Sequence, residues 1–206
     1  YHFFVKDELP VPQWPHEEPI DPDDVNFIMD SYFKNNYNIK ETLRDLFKSK
    51  YFRNENIYYK RIKSPAELVV NSVRLSGGFE IPSEEVYKAT ISSGLMGQPL
   101  LNPTSVEGWQ GGEEWINTGS VIERINFCSD VLGDSKKVLV RKILKRNAQK
   151  EDLLRISCEE LGYFELHEST EKELISYIND NEFKIDEEYV GILLKLIVSS
   201  REFQMT

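Results

Sequence analysis

Apolar side chains recur at intervals of three and four residues along most of the chain, which is the spacing of one face of an α-helix. The first such face follows Asp21-Pro22, a cap residue with proline at the first helical position. The face comprises Val25, Ile28, Met29, Tyr32 and Phe33. We therefore predict a helix that starts near residue 22 and buries these five side chains.

Two further helices are predicted from their starting signals. Asn38 and Glu41 resemble a capping box with a substituted cap residue, and Ser64-Pro65-Ala66-Glu67 is a complete one with proline at the first helical position. Their apolar faces are Ile39, Leu43, Leu46 and Phe47 in the first helix, and Ala66, Val69, Val70 and Val73 in the second. The second helix should end at Gly77-Gly78, which is a C-terminal glycine signal.

Six more helical patterns complete the chain. One starts at Pro82-Ser83 and spaces three apolar residues four apart, at Tyr87, Ile91 and Leu95. Another is capped by Asn117 or Thr118, and the rest cover 136–150, 151–161, 170–179 and 187–200. The last is apolar on nearly every side and should be a buried central helix. Because no stretch alternates as strands do, we predict an all-α fold, an irregular multi-helix bundle.

A long loop rich in glycine, proline and tryptophan separates two of these helices. Residues 97–117 hold two of the three tryptophans, two of the nine prolines and four of the eleven glycines. Pro99 and Pro103 each remove a backbone donor and prevent a helix from running through them. Irregular loops of about twenty residues are uncommon in compact domains and are often functional. We therefore place the candidate site at this central loop.

Seven residues in and near this loop form the candidate ligand-binding set. They are Arg74, Gln98, Trp109, Gly111, Gly112, Trp115 and Asn117. Indole faces suit sugar rings and neighbouring amides can fix hydroxyl groups, so a carbohydrate or envelope polymer is the predicted ligand class. A structural interpretation stands beside this one. In it both indoles pack into the core, the glycines only permit turns, and Arg74 balances the dipole at the end of its helix instead of binding an anion.

The first 22 residues differ in composition from the remainder, because they are acidic and rich in proline. We predict an extended connector over residues 1–22, anchored by Trp14, and a single helical domain over residues 23–206. The chain opens inside an aromatic segment, so we expect it to be the C-terminal part of a larger protein and to pack against the missing N-terminal half. Cytoplasmic and exported locations both stay open, because a signal peptide would lie on that half.

The formal net charge of −10 argues against a nucleic-acid-binding protein, since phosphate backbones require a positive surface. Basic and aromatic residues do alternate between residues 48 and 63, as in a single-strand groove, but we interpret them as a short connection whose aromatics pack and whose lysines stay hydrated. The basic stretch at 136–150 suits either a membrane surface, an acidic partner or a solvated helix face. No apolar run approaches eighteen residues, so no transmembrane helix is predicted.

The sequence contains no complete catalytic or cofactor motif. The three histidines lack the spacing of metal ligands, and no Cys-x-x-Cys, nucleophile elbow, phosphate loop or dinucleotide fingerprint occurs. We therefore predict no metal and no cofactor, and we assign no catalytic residue. Cys128 and Cys158 lie within separate apolar patterns and are expected to be buried free thiols, although a disulfide between them stays open.

Five sequence blocks carry a resemblance to a known family. They are Lys63-Ser64-Pro65-Ala66-Glu67-Leu68-Val69-Val70, Gly97-Gln98-Pro99-Leu100, Asn102-Pro103-x-x-Val106-x-Gly108-Trp109-x-Gly111-Gly112-x-x-Trp115-Ile116-Asn117, Arg124-x-Asn126-Phe127 and Ser199-Ser200-Arg201-Glu202-Phe203-Gln204. Over nearly its whole length the chain resembles the C-terminal half of a bacterial family, domain of unknown function 1800 (DUF1800). It departs from that family at Thr104 and Gln110, where proline is common.

The resemblance implies a helical bacterial protein without an assigned activity, and it supplies no catalytic residues. Three functions stay open. The first is a module that binds a carbohydrate or envelope polymer at the central loop. The second is part of an enzyme whose catalytic groups lie mainly in the missing half. The third is a scaffold that packs against a partner protein through its apolar and basic helices.

Overall fold

The computed structural model describes residues 1, 3–8, 15–77, 84–109, 111–146, 149–162, 165–180 and 184–205. Within these ranges the fold is all-α, as predicted, and no strand is present. The helices are α1 (Pro22–Lys34), α2 (Ile39–Lys48), α3 (Pro65–Ser76), α4 (Glu84–Leu95), α5 (Thr118–Leu132), α6 (Val138–Lys145), α7 (Lys150–Glu160), α8 (Glu168–Asp180), α9 (Glu187–Val198) and α10 (Arg201–Gln204). Short 3₁₀ turns cover Glu55–Ile57 and Gly112–Trp115.

The predicted capping signals form the helix ends. At α3 the Ser64 hydroxyl accepts from the Glu67 N–H, while the Glu67 carboxylate accepts from the Ser64 N–H. The same helix ends at Gly77, whose φ of 68° is the left-handed conformation that glycine adopts without steric cost. At α2 the Asn38 side-chain oxygen caps the helix by accepting from the backbone N–H groups of Lys40 and Glu41. Three predicted features lie outside the described residues. They are the helix start at Pro82-Ser83, the second glycine of the helix-end signal, Gly78, and the anchor Trp14.

The contacts among Cα atoms divide the chain into two compact units, Tyr1–Ile62 and Lys63–Met205. The prediction of a connector over residues 1–22 and one domain over 23–206 stays a prediction.

In the first unit, α1 and α2 pack against each other and leave much of their apolar surface open. Val25 and Leu46 are buried, and the Asp45 carboxylate ties the helices together by accepting from the Ser31 hydroxyl at 2.8 Å. Met29, Tyr32 and Phe33, which the spacing places on a buried face, are exposed. That part of the prediction is wrong because α1 has α2 as its packing partner in this unit, and one helix covers one stripe of its neighbour.

The core of the second unit forms around α9, which packs against α5, α6, α8 and α10. As its apolar composition predicts, the helix is central, and five of its twelve side chains are fully buried, namely Val190, Leu193, Leu194, Ile197 and Val198, whereas Ile192 and Leu196 are exposed. A Cβ at Gly191 would lie 2.8 Å from the carbonyl oxygen of Gly133, just after α5, so glycine is required for this close approach. Cys128 and Cys158 are buried free thiols, as expected.

Candidate functional site

The central loop leaves α4 through a tight set of hydrogen bonds. The Gln98 N–H donates to the carbonyl of Ser93 at 2.9 Å, and the Ser93 hydroxyl donates back to the Gln98 carbonyl at 2.9 Å. Between them Gly97 adopts a φ of 101°. These contacts turn the chain sharply and hold the loop against the end of α4.

Gln98, one of the candidate binding residues, uses its side chain within the fold. Its Oε1 accepts from the backbone N–H of Ala66 at 2.8 Å. This N–H belongs to the first turn of α3, where helical N–H groups have no partner inside the helix. The side-chain oxygen of Gln98 therefore joins the loop to α3, and it already has a hydrogen-bond partner within the fold.

The two candidate indoles are half-buried. Trp109 donates its Nε1–H to the carbonyl oxygen of Pro99 at 3.0 Å, which closes the loop upon itself. Trp115 ends the 3₁₀ turn and lies beside Gly97, where an added Cβ would come within 3.8 Å of the indole Cδ1. Each indole is thus partly covered by the loop and partly exposed to solvent, so both the packing and the binding interpretations stay open.

The remaining loop candidates shape the path into α5. Gly112 is buried with a φ of 61°, whereas the extended conformation of Gly111, with a φ of −140°, is open to any residue. The Asn117 Oδ1 accepts from the Ser120 N–H at 3.0 Å, and the Ser120 hydroxyl accepts from the Asn117 N–H at 3.0 Å. Asn117 is therefore the cap of α5, one of the two starts predicted for it.

Arg74, another of the seven candidates, lines a cavity. Its side chain is exposed in the last turn of α3 and makes no ion pair or hydrogen bond within the described ranges. The cavity is a groove of about 310 Å³ between α3 and α4. Its other walls are almost entirely apolar or small and comprise Ala66, Val69, Val70, Val73, Val86, Ala89, Thr90, Ser93 and Leu100. Arg74 is the only charged residue among them.

Beside this groove, α4 turns its large apolar side chains toward solvent. Its buried residues are the small ones, Ala89 and Ser93, whereas Tyr87 and Leu95 are 67% and 64% exposed. In the loop that follows, Leu101 is 96% exposed in a left-handed backbone conformation that is unusual for a branched residue. The sequence analysis did not identify this surface. The recurrence of small residues four apart, at Ala89 and Ser93, was the available signal.

A buried cationic cluster was also missed. Arg124 is fully buried, and its Nε donates to the Gln204 Oε1 at 2.9 Å while its Nη2 donates to the Lys63 carbonyl at 2.8 Å. The Lys63 ammonium donates to the carbonyl of Phe203 at 2.7 Å. Burial lowers the pKa of Lys63 to about 8. We call Lys63, Arg124 and Gln204 the clasp, and each belongs to a different one of the sequence blocks that carry the family resemblance.

The described residues contain no group of histidine, cysteine or carboxylate side chains arranged to hold a metal ion. Burial raises the pKa of Cys128 to about 11, so near the clasp it is a protonated thiol at neutral pH and a poor nucleophile. Within the same described ranges, no helix has the length and apolar character needed to cross a membrane.

Comparison with known proteins assigns the chain to a family. Residues 1–205 match the family described as "Protein of unknown function (DUF1800)". No curated protein and no solved structure matches the chain. The match covers both compact units and all five sequence blocks, so the protein belongs to the DUF1800 family, whose function is unknown.

Proposed function

We propose that this protein is a binding module that receives an amphipathic helix of a partner protein in the groove between α3 and α4. The observation that carries the proposal is the exposure of apolar side chains in the wall of the groove itself. Val70, Val86 and Leu100 line the groove and are 52%, 43% and 45% exposed. Continuous exposed apolar surface on a protein is typical of an interaction site, and grooves between two helices commonly receive a third.

Charge complementarity defines the partner further. Arg74 lies in the groove wall without a counter-ion among the described residues. Its guanidinium can hold a carboxylate through two parallel hydrogen bonds. The expected partner helix therefore carries apolar residues at helical spacing and one Asp or Glu beside that stripe. A purely apolar occupant would leave the arginine to be desolvated without compensation.

A carbohydrate ligand has weaker support. The amide oxygens of Gln98 and Asn117, which should fix sugar hydroxyls, already accept backbone N–H groups of α3 and α5. The two indoles are absent from the groove wall. Carbohydrate binding and an enzymatic role stay predictions, and the scaffold function is the alternative that the geometry favours.

The proposal is tested by cross-linking in the protein's own cells. A photoreactive benzoylphenylalanine at Val70, in the exposed part of the groove wall, should give one covalent product with a second protein. The cross-linked peptide, identified by mass spectrometry, should be an amphipathic helix with an acidic residue. Arg74→Glu should reduce the yield about tenfold by repulsion, and a matching reversal of the partner's acidic residue to lysine should restore it.

The same label at Lys172, an exposed position on α8, is the matched control and should give no such product. Three outcomes would contradict the proposal. They are a product that is only a dimer of this chain, a yield unaffected by Arg74→Glu, or the absence of any product specific to Val70.

A further inference from the structure

A second cavity, of about 600 Å³, lies between α7 and α8. One face of each helix lines the cavity. The lining positions are 150, 151, 154, 155 and 158 of α7, residues 165 and 166 between the helices, and 171, 175, 178 and 179 of α8. Its size falls within the range of about 300–1,000 Å³ that is typical of small-molecule sites. No residue of the α3–α4 groove contributes to it, so the two sites are independent.

The floor of this cavity is apolar. Leu154, Cys158 and Ile178 are buried there, and Leu166 and Ile175 extend the apolar wall toward solvent. Burial raises the pKa of the Cys158 thiol to about 12, so the floor carries no thiolate at neutral pH. An apolar group entering the cavity would cover this surface without displacing a charge.

The rim has an excess of unpaired negative charge. Glu151, Glu165 and Glu171 make no ion pair with any residue that the structure describes. The Arg155 guanidinium, by contrast, already contacts the carboxylates of Asp152 at 2.9 Å and Glu159 at 2.5 Å. Lys150 is the other cation of the wall. The cavity therefore attracts positive charge at its mouth while its floor excludes it.

We propose that the α7–α8 cavity binds an amphipathic cation, a small molecule with an aliphatic body and an ammonium head group. The aliphatic body packs on Leu154, Ile175 and Ile178, and the ammonium group lies among the rim carboxylates. A neutral alcohol of the same length loses the charge interaction. A carboxylate of the same length meets repulsion from three like charges.

A matched series of probes tests this inference by isothermal titration calorimetry on the whole chain. Octylammonium, octanol and octanoate share one aliphatic body and differ in head group. Octylammonium should bind saturably and at least about tenfold tighter than octanoate, with octanol between them. Because exposed charge pairs contribute modestly, Glu165→Gln with Glu171→Gln should weaken octylammonium binding roughly fivefold to tenfold and leave octanol binding unchanged.

The control variant Glu173→Gln with Glu188→Gln removes the same charge from exposed positions outside the cavity wall, and it should bind octylammonium as the natural chain does. In a Cys128→Ser background, octylammonium should also slow alkylation of Cys158 at the floor. Three results would overturn the proposal. The chain could bind octanoate as tightly as octylammonium, or the variant with Glu165→Gln and Glu171→Gln could bind octylammonium with unaltered affinity. The third is that octylammonium gives neither a saturable binding heat nor protection of Cys158 from alkylation.

Discussion

Helices α4 and α9 are both predicted from apolar residues at helical spacing, yet they meet solvent in opposite ways. α9 is surrounded by α5, α6, α8 and α10, and residues such as Leu193 and Ile197 are fully buried. α4 contacts α3 and α5 through its small residues and leaves Tyr87 and Leu95 in water. Apolar spacing thus identifies a helix, whereas the number of neighbouring elements decides whether its apolar face becomes core or stays exposed to solvent.

The comparison predicts its largest effect in α9. Leu193→Ala removes a fully buried side chain and leaves a cavity, so the free energy of unfolding should fall by about 2–5 kcal/mol. Ile91→Ala, in the exposed face of α4, should cost less than about 1 kcal/mol. Urea denaturation of both variants measures the difference. Equal losses would mean that α4 is as much a part of the core as α9.

The clasp should rank next, because it is a polar interaction enclosed by the same core. Arg124→Ala leaves the Gln204 Oε1 and the Lys63 carbonyl with a lost partner, and we expect a loss of about 2–4 kcal/mol in the free energy of unfolding. Arg141→Ala, at an exposed position on α6, is the matched arginine control. If the two arginine variants unfold at the same urea concentration, the clasp contributes nothing to stability.

The central loop should fall between the two extremes, because its indoles are half-buried. Trp109→Ala and Trp115→Ala, made separately, should each cost about 1–3 kcal/mol, less than the roughly 3–5 kcal/mol of a fully enclosed indole. Thermal unfolding gives the ranking. A variant that keeps the natural midpoint would identify an indole that is free to meet a ligand, and a full core-sized loss in both would establish the loop as part of the core.

A comparable effect is expected from pH. Folding lowers the pKa of Lys63 from the usual 10.5 to about 8 through burial, so the folded state releases this proton before the unfolded chain does. The energetic cost of the buried charge is complete below pH 8 and disappears toward pH 10.5, so stability from this group rises with pH between these values. Relative to Lys63→Met, the natural chain should gain up to about 3 kcal/mol across that window. A constant difference would contradict the assignment.

The smallest effect on stability should come from the open face of α4. Ile91→Ser with Leu95→Ser should change the free energy of unfolding by no more than about 1 kcal/mol, because both side chains are exposed. The same variant should leave cross-linking from Val70 intact, because neither side chain lines the groove. Retained cross-linking would limit the binding surface to the groove itself.

Features set by local sequence could be predicted. The Ser64–Glu67 capping box and the Gly77 helix end depend on neighbouring residues, and α9 is apolar on so many sides that only a core position suits it. The orientation of α4 could not be predicted in this way. It depends on how closely Ala89 and Ser93 allow α3 and α5 to approach, which is a property of residues distant in sequence.

Of the candidate residues, Arg74 lies in the wall of the α3–α4 groove, and the structural use of the others could not be read from residue type. An amide such as that of Gln98 suits a ligand and a helix N-terminus equally, and the choice depends on Ala66, 32 residues away. Arg124 presents the same difficulty on a larger scale. Its partners Lys63 and Gln204 lie 61 and 80 residues away along the chain.

These separations have a consequence for the order in which the second unit can form. During synthesis, α5 emerges well before residues 199–205, so for that interval the Arg124 guanidinium lacks the Gln204 side chain that it contacts in the folded state. A cation cannot enter an apolar core without such partners, so α5 should stay hydrated and α9 incompletely packed until α10 has emerged. We expect nascent chains that end before residue 205 to remain sensitive to proteases across α5, and the last few residues of the 199–205 segment to convert them abruptly to a resistant form.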